Sequence, residues 1–197
     1  MKVTAIVGSY RKGGIIVQAV GEILAAARET GAETTTISLM DKHIDFCRNC
    51  RACTQSEGSG RGVCAIKDDL DAVLREIEAS DALILASPMN FGTVTAVTKR
   101  FIERLICLGY WPWGQMAPRN RIREKKKRAV IVTASAAPAF VYWFISDIVG
   151  LLKTAAGLLG AKTVGVLFIG LAACKHQPEL GERWRRRARR LGKKLVA

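Results

Sequence analysis

Five short apolar runs, each followed by a stretch able to wind into a helix, set the limits on what these 197 residues can fold into. The runs are Val3–Val7, Ala82–Ala86, Ala129–Ala134 and Thr163–Ile169, with Thr34–Leu39 the weakest, alternating as a shorter strand might. The helical stretches are Ile15–Thr30, Asp68–Ala79, Thr93–Leu108, Phe140–Leu159 and Pro178–Val196. Strands this short and this apolar are buried on both faces, as in parallel sheets covered by helices. Right-handed crossovers then give a doubly wound, five-stranded α/β fold. Gly31 and Gly160 stand where the first and fourth helices should stop, and acidic residues crowd the first turn of the second. No repeat or low-complexity linker breaks the pattern. One domain over 1–197 is therefore expected, with a breaker-rich segment at 41–65 and a basic helix at 178–196.

In such a sheet ligands sit beyond the carboxyl ends of the strands. The loops after the first, third and fourth strands, Gly8–Gly14, Ser87–Thr93 and Ala134–Phe140, should converge there. The first loop points backbone N–H groups and a helix N-terminus at one spot, and Ser9, Arg11 and Lys12 add a hydroxyl and two charges. That combination suits a phosphate. It is not the nucleoside-triphosphate loop, because Gly14 and Ile15 stand where Lys and Ser/Thr belong. Nor is it the dinucleotide loop, whose second glycine is Tyr10 here. A monophosphate site remains, or a tight turn in which Gly13 and Gly14 serve only conformational freedom. In the second loop, Pro88, Met89, Asn90, Phe91, Gly92 and Thr93 offer close-approaching backbone that can lie against a planar ring. Ser135 and Ala136 give the third loop the same small-sided character. A phosphate at one end and a flat surface at the other describe a mononucleotide with a large ring system.

The segment at 41–65 carries a separate chemistry. Cys47, Cys50 and Cys53 follow one another at two-residue spacing, and Cys64 comes after ten more residues. Four thiolates can complete the coordination of a 4Fe-4S cluster, and Arg48 and Arg51 between them would offset its negative charge. Zinc is a competing occupant, since four thiolates also satisfy a tetrahedral ion. Free thiols are the third possibility. Cys107 and Cys174 lie in apolar surroundings and read as core residues. Six cysteines with no export signal point to reduced thiols and a cytoplasmic protein.

These motifs occur in one order: Gly8-Ser9-x-Arg11-Lys12-x-Gly14, the cysteine run, Cys64-x3-Asp68-Asp69, Ser87-Pro88-x-x-Phe91-Gly92 and Lys99-Arg100-Phe101-Ile102-Glu103-Arg104. Together they resemble the flavodoxin-like NAD(P)H-dependent FMN reductases, and among them most closely the iron–sulfur flavoproteins. The resemblance implies a sheet of order 2-1-3-4-5, FMN held by the first and third-strand loops, and homodimers or homotetramers. It further implies NAD(P)H or a ferredoxin as electron donor. It places Ser9, Arg11, Lys12, Gly13, Gly14, Ile15 and Ile16 on the flavin phosphate side. Pro88 to Thr93, with Ser135 and Ala136, fall on the ring side, and Cys47, Cys50, Cys53 and Cys64 on a cluster. Relatives usually carry Asn or Ser, then Thr or Ser, where this chain has Ile15 and Ile16, so phosphate binding here rests on backbone amides, Ser9 and Arg11. Asn90 replaces the Tyr that relatives usually hold there, which changes hydrogen bonding at the ring edge.

No catalytic side chain is expected, because flavin chemistry belongs to the cofactor; His43 and His176 are isolated in sequence. An FMN or quinone reductase without a cluster is the nearer alternative. A formal charge of +14 motivates a more distant one, a cofactor-free protein that binds an anionic partner. Seven basic residues lie in 119–128 and eight in 183–194, which suit an acidic electron-transfer protein or a solvated surface. Only Trp184 interrupts these runs, with no pattern of aromatic interleaving, which argues against nucleic acid. The longest apolar stretch, 139–152, is too short to span a membrane. Tyr110-Trp111-Pro112-Trp113 and Tyr142-Trp143-Phe144 suit an oligomer contact.

Overall fold

A computed structural model describes residues 1–58, 60–141, 146–173 and 178–197. Its main sheet is built from β1 (Lys2–Val7), β2 (Glu33–Ser38), β3 (Ala82–Pro88), β6 (Lys127–Ala134) and β7 (Ala161–Ile169). The five strands are all parallel, in the order β2-β1-β3-β6-β7, which is the expected 2-1-3-4-5 arrangement. Strand residues alternate between two cores. Val3, Ala5, Ile84 and Val132 face α1 (Ile15–Arg28) and α5 (Glu182–Val196). Ile6, Leu83, Leu85 and Ile131 face α2 (Leu70–Glu78), α3 (Ala96–Arg104) and α4 (Ile148–Leu158). Helices on both faces explain the unbroken apolar runs of β1, β3 and β6. No described helix is long and apolar enough to cross a membrane.

Several boundaries differ from the sequence expectation, each for a local reason. Thr95 ends the extended segment before α3, its hydroxyl accepting from Thr98 N, so that helix starts at Ala96 and not at Thr93. Its last turn tightens into a 3₁₀ helix over Leu105–Leu108. The expected helix over Phe140–Leu159 is not continuous: Ser146 and Asp147 are non-helical and α4 begins at Ile148. There Ser146 accepts from Ile148 N and donates to Gly92 O at 2.5 Å. The aromatic run 142–144 lies outside the described residues, as do Cys174 and His176. The last helix begins at Glu182 because Gln18 holds the preceding segment, accepting from Leu180 N and donating to Pro178 O.

The long connection from Tyr110 to Lys127, which carries no strand signal in sequence, contains a short hairpin. β4 (Gly109–Tyr110) pairs antiparallel with β5 (Arg119–Asn120), too briefly for any alternation to show in the sequence. Its basic run is also not simply solvated. Arg121 donates to the carbonyls of Gly58, Ser56, Cys53 and Gly109. Lys127 caps the end of α2, donating to Ile77 O, Glu78 O and Ser80 O. Arg128 reaches Lys194 O, so the two basic segments of the sequence meet in space.

Candidate functional site

The three strand-end loops are hydrogen-bonded to one another. Gly8 N donates to Ala86 O at 2.8 Å, and Met89 N donates to Ala134 O at 2.8 Å. The Thr95 hydroxyl donates to Gly8 O at 2.6 Å and lies 2.8 Å from that of Thr98, while Thr98 donates to Ser87 Oγ at 3.2 Å. These side chains are buried, so the hydroxyls satisfy one another where β1 and β3 end. Gly8 is required at their centre. A Cβ there would overlap the Thr98 hydroxyl.

Beyond this network lies the open end of α1. Gly14 occupies the N-cap with extended backbone (φ −70°, ψ 167°) and no side-chain cap. The first-turn amides of Ile15, Ile16 and Val17 therefore have no intrahelical acceptor. The Ile15 and Ile16 side chains are buried in the core under the helix, so only their backbone faces the loop. Ser9 Oγ accepts from Arg11 N and donates to Arg11 O, bending the loop, while Gly13 O accepts from Gln18. Arg11 is exposed and has no ion-pair partner among the described residues. Lys12 pairs with Asp41 at 3.8 Å, an exposed contact of little energetic weight.

On the other side, Asn90 and Thr93 exchange backbone hydrogen bonds of 2.9 and 3.1 Å around Phe91 (φ 48°) and Gly92 (φ 78°). Two consecutive left-handed residues make a tight primed turn. Phe91 adopts that conformation without glycine's freedom, and its ring is fully exposed. Ser135 is buried, its hydroxyl donating to Ala137 O, its N–H to Ile169 O and its carbonyl accepting from Ala172 N, so Ala136 is the more exposed of the two.

The cysteine loop lies between β2 and α2. Asn49 (φ 51°) and Arg51 (φ 57°) turn the chain between successive cysteines. Cys47, Cys50, Cys53 and Cys64 line one cavity of about 410 Å³ together with Arg51, Arg104 and Trp111. Cys64 is brought back across the ten-residue gap by contacts that Gly62 alone permits. Gly62 N donates to Cys107 O at 2.7 Å, and a Cβ on Gly62 would overlap Cys53 O. Arg121 grips the carbonyls of the same gap. Trp111 and Trp113 sandwich the Arg51 guanidinium, with ring centroids at 3.8 and 4.2 Å, and its Nη2 donates to Trp111 O. The tryptophans thus brace the cysteine loop, a role their sequence did not announce. Burial, and then the neighbouring Cys64, Cys47 and Cys50 sulfurs, push the Cys53 thiol above its ordinary pKa. As the side chains stand, no group of three or more His, Cys, Asp or Glu among the described residues is arranged to hold a metal ion.

Beneath the cysteines is an ion pair that sequence reasoning missed. Arg104 and Asp68 are each 1% exposed, with Nη1 to Oδ2 at 2.6 Å. Arg104 also donates to Asp45 O at 2.8 Å and to Cys64 Sγ at 3.4 Å. Asp68 accepts from the N–H groups of Asp45 and Leu70. Burial by itself would raise the Asp68 carboxyl, but the Arg104 guanidinium and these two amides outweigh it and hold the group below the usual carboxylate range. The Nε atoms of Arg104 and Arg51 are buried without a partner among the described residues. Both residues line the cysteine cavity. A donor set of four thiols with two guanidiniums that have unused N–H groups fits an anionic, sulfur-ligated group.

Cys107 is a core thiol, as expected, yet it lies near this cavity. Burial, then the adjacent Cys53 and Cys64 sulfurs, push it up to about 12. The folded protein then keeps this proton where the unfolded chain releases it, above about pH 8.5. Stability should fall as pH rises from there toward 12, by up to roughly 1.4 kcal/mol per unit from this group. Urea unfolding from pH 8 to 10.5 should show that decline in the wild type and a shallower one in Cys107→Ala.

Comparison with known proteins identifies relatives of this arrangement. The family model described as NADPH-dependent FMN reductase matches residues 1–140. An iron-sulfur flavoprotein of Archaeoglobus fulgidus is 36% identical over 112 residues, 57% of this chain and 49% of the relative. Another from Methanocaldococcus jannaschii is 40% identical over 104 residues, 53% of this chain and 51% of the relative. The match thus spans about half the length of these curated relatives. Among solved structures, an FMN-dependent NADH-azoreductase of Bacillus anthracis in complex with FMN superposes with TM-score 0.73 at 11% identity, covering 100% of both chains. An NAD(P)H:quinone oxidoreductase of Methanothermobacter marburgensis superposes with TM-score 0.70 at 17% identity, covering 100% of this chain and 96% of the other. At these identities the likeness is one of fold.

Proposed function

Because this chain belongs to the NADPH-dependent FMN reductase family, we propose that it is an FMN-binding redox protein passing electrons from NAD(P)H or a ferredoxin-like donor to an acceptor, with a 4Fe-4S cluster on its cysteine loop. The observation that carries the flavin reading is the joining of three strand-end loops around the uncapped N-terminus of α1. Gly13, Gly14, Ile15 and Ile16 would offer backbone N–H groups to the FMN phosphate, and Ser9, Arg11 and Lys12 a hydroxyl and charge. Pro88 to Thr93, Ser135 and Ala136 would present backbone to the ring, and the rigid turn at Phe91–Gly92 keeps that surface fixed. When bound, the flavin supplies hydride acceptance and single-electron release. The chain's own part is to bind, orient and shield it.

For the cysteine loop, the donor set favours a cluster over zinc: four thiols share one cavity with Arg51 and Arg104, whose buried Nε–H groups have no partner among the described residues, which suits a group that carries anionic sulfur of its own. Cys47, Cys50, Cys53 and Cys64 would be its ligands, and it would supply one-electron transfer. Homo-oligomers are part of the same proposal, supported by exposed apolar side chains at Phe91, Trp113, Met116 and Phe140. An acidic electron-transfer protein would find α5, where Arg183, Arg186, Arg187, Arg190, Lys193 and Lys194 are exposed without ion-pair partners among the described residues.

The test is an absorption spectrum of protein purified without oxygen, with flavin, iron and sulfide assays on the same sample. Flavin bands plus a broad visible shoulder, with about four iron per chain, are expected. Flavin without iron, even after reconstitution, would reduce the reading to an FMN or quinone reductase. A colourless protein that takes up neither group would overturn it.

A further inference from the structure

We propose that Arg104 is a positioning residue for the cysteine-bound group. It fixes Cys64 and supplies a buried positive charge that sets the group's reduction potential. The inference rests on the proposed cluster and goes beyond it, because Arg104 lies outside the cysteine loop at the last turn of α3. Three observations point the same way.

First, the guanidinium contacts the cysteine loop at both of its ends. It donates to Asp45 O, two residues before Cys47, and to Cys64 Sγ at 3.4 Å. A single rigid group therefore sets the separation of the loop's two ends, and the core around α3 holds that group in place. Second, its charge is almost fully withdrawn from water, at 1% exposure, with Asp68 as its only carboxylate partner among the described residues. At such a site a charge acts on its neighbours with little solvent screening. Third, the accounting is incomplete in the protein alone. Arg104 Nε is buried with no acceptor among the described residues, on a side chain that lines the cysteine cavity. Buried guanidinium N–H groups are rarely left unsatisfied, and an anionic sulfide or thiolate acceptor in that cavity would complete the set.

Hydrogen bonds to sulfur and nearby positive charge both favour the reduced, more negative form of an iron–sulfur centre. Removing Arg104 should therefore lower the midpoint potential and loosen the hold on Cys64. Simple truncation would leave Asp68 buried and unpaired, so the informative variant replaces the pair. Asp68→Leu with Arg104→Met keeps the volume apolar and filled, an exchange that buried ion pairs commonly tolerate. Arg104→Lys is the second variant, keeping a cation while losing the forked geometry.

The experiment uses anaerobically reconstituted full chain and reads two quantities besides activity: the midpoint potential, by dye-mediated titration followed by EPR, and the rate of iron loss to a chelator. The double variant should bind iron about 10–100-fold less firmly, as changes in outer-shell partners of metal ligands do; because the carboxylate and guanidinium charges leave together, its potential should fall only through the lost N–H···S bond to Cys64. Arg104→Lys should lose iron faster yet keep a potential near that of wild type. If both variants match wild type in potential and iron retention, the role of Arg104 is overturned while the cluster reading stands. If wild-type protein takes up no iron and sulfide under the same conditions, both fall together.

Discussion

Asp68→Asn is expected to destabilise the protein by about 3–5 kcal/mol, because it strands a buried guanidinium without its counter-charge. The loss reaches beyond one ion pair. Asp68 also receives the N–H groups of Asp45 and Leu70, fixing the approach to the cysteine loop and the entry to α2. Urea unfolding of the cofactor-free protein at pH 7 would measure the effect, and a cost below about 1 kcal/mol would show that water reaches the pair and screens it. Acidification should bring the two stabilities together. The folded-state pKa of Asp68 is depressed, so its contribution is fully present above the unfolded value near pH 4 and is lost as pH falls below it. The wild type should lose this stability on acidification through that window, and Asp68→Asn should lack that component.

Gly8→Ala should cost about 2–3 kcal/mol, the penalty of overpacking a site that cannot yield. The added carbon would overlap the Thr98 hydroxyl and crowd that of Thr95 at 3.3 Å, inside a network that also includes Ser87. Moving Thr98 would break its bond to Ser87, and moving Gly8 would break the bond from Thr95. Thermal or urea unfolding measures the loss. A companion Thr98→Ala change, which removes the clashing hydroxyl, should return part of it; if the double variant is no more stable than Gly8→Ala, the clash is not the cause. FMN uptake by the single variant should weaken too, since Gly8 opens the loop that leads to Ser9 and Arg11.

The parallel sheet was legible because β1, β3, β6 and β7 are apolar, short and separated by helices, whereas its strand order was expected only from the family resemblance. Burial on both faces leaves that trace without help from distant residues. The cysteines were equally plain, since C-x2-C-x2-C spacing is local. What was hidden depended on contacts between distant segments. Nothing around Arg104 in sequence says that it meets Asp68 and Cys64, because α3 presents it only once the chain has folded. Arg121 and Lys127 looked like part of a solvated basic run, yet both spend their donors on backbone carbonyls. The helix expected from Phe140 lost its continuity to Ser146, whose hydroxyl serves Gly92 and Ile148 instead of letting the helix run through.

The clasp between the cysteine loop and the β4–β5 segment has an engineering consequence. Arg51 is gripped by Trp111 and Trp113, while Arg121 reaches back to Cys53 and its neighbours. The loop does not carry its own shape; a hairpin some sixty residues downstream supplies much of it. A metal-binding cassette cut from 45–64 and grafted into another scaffold would therefore arrive without its brace. The transferable unit is discontinuous: the loop, the hairpin and the buried end of α3 would have to travel together.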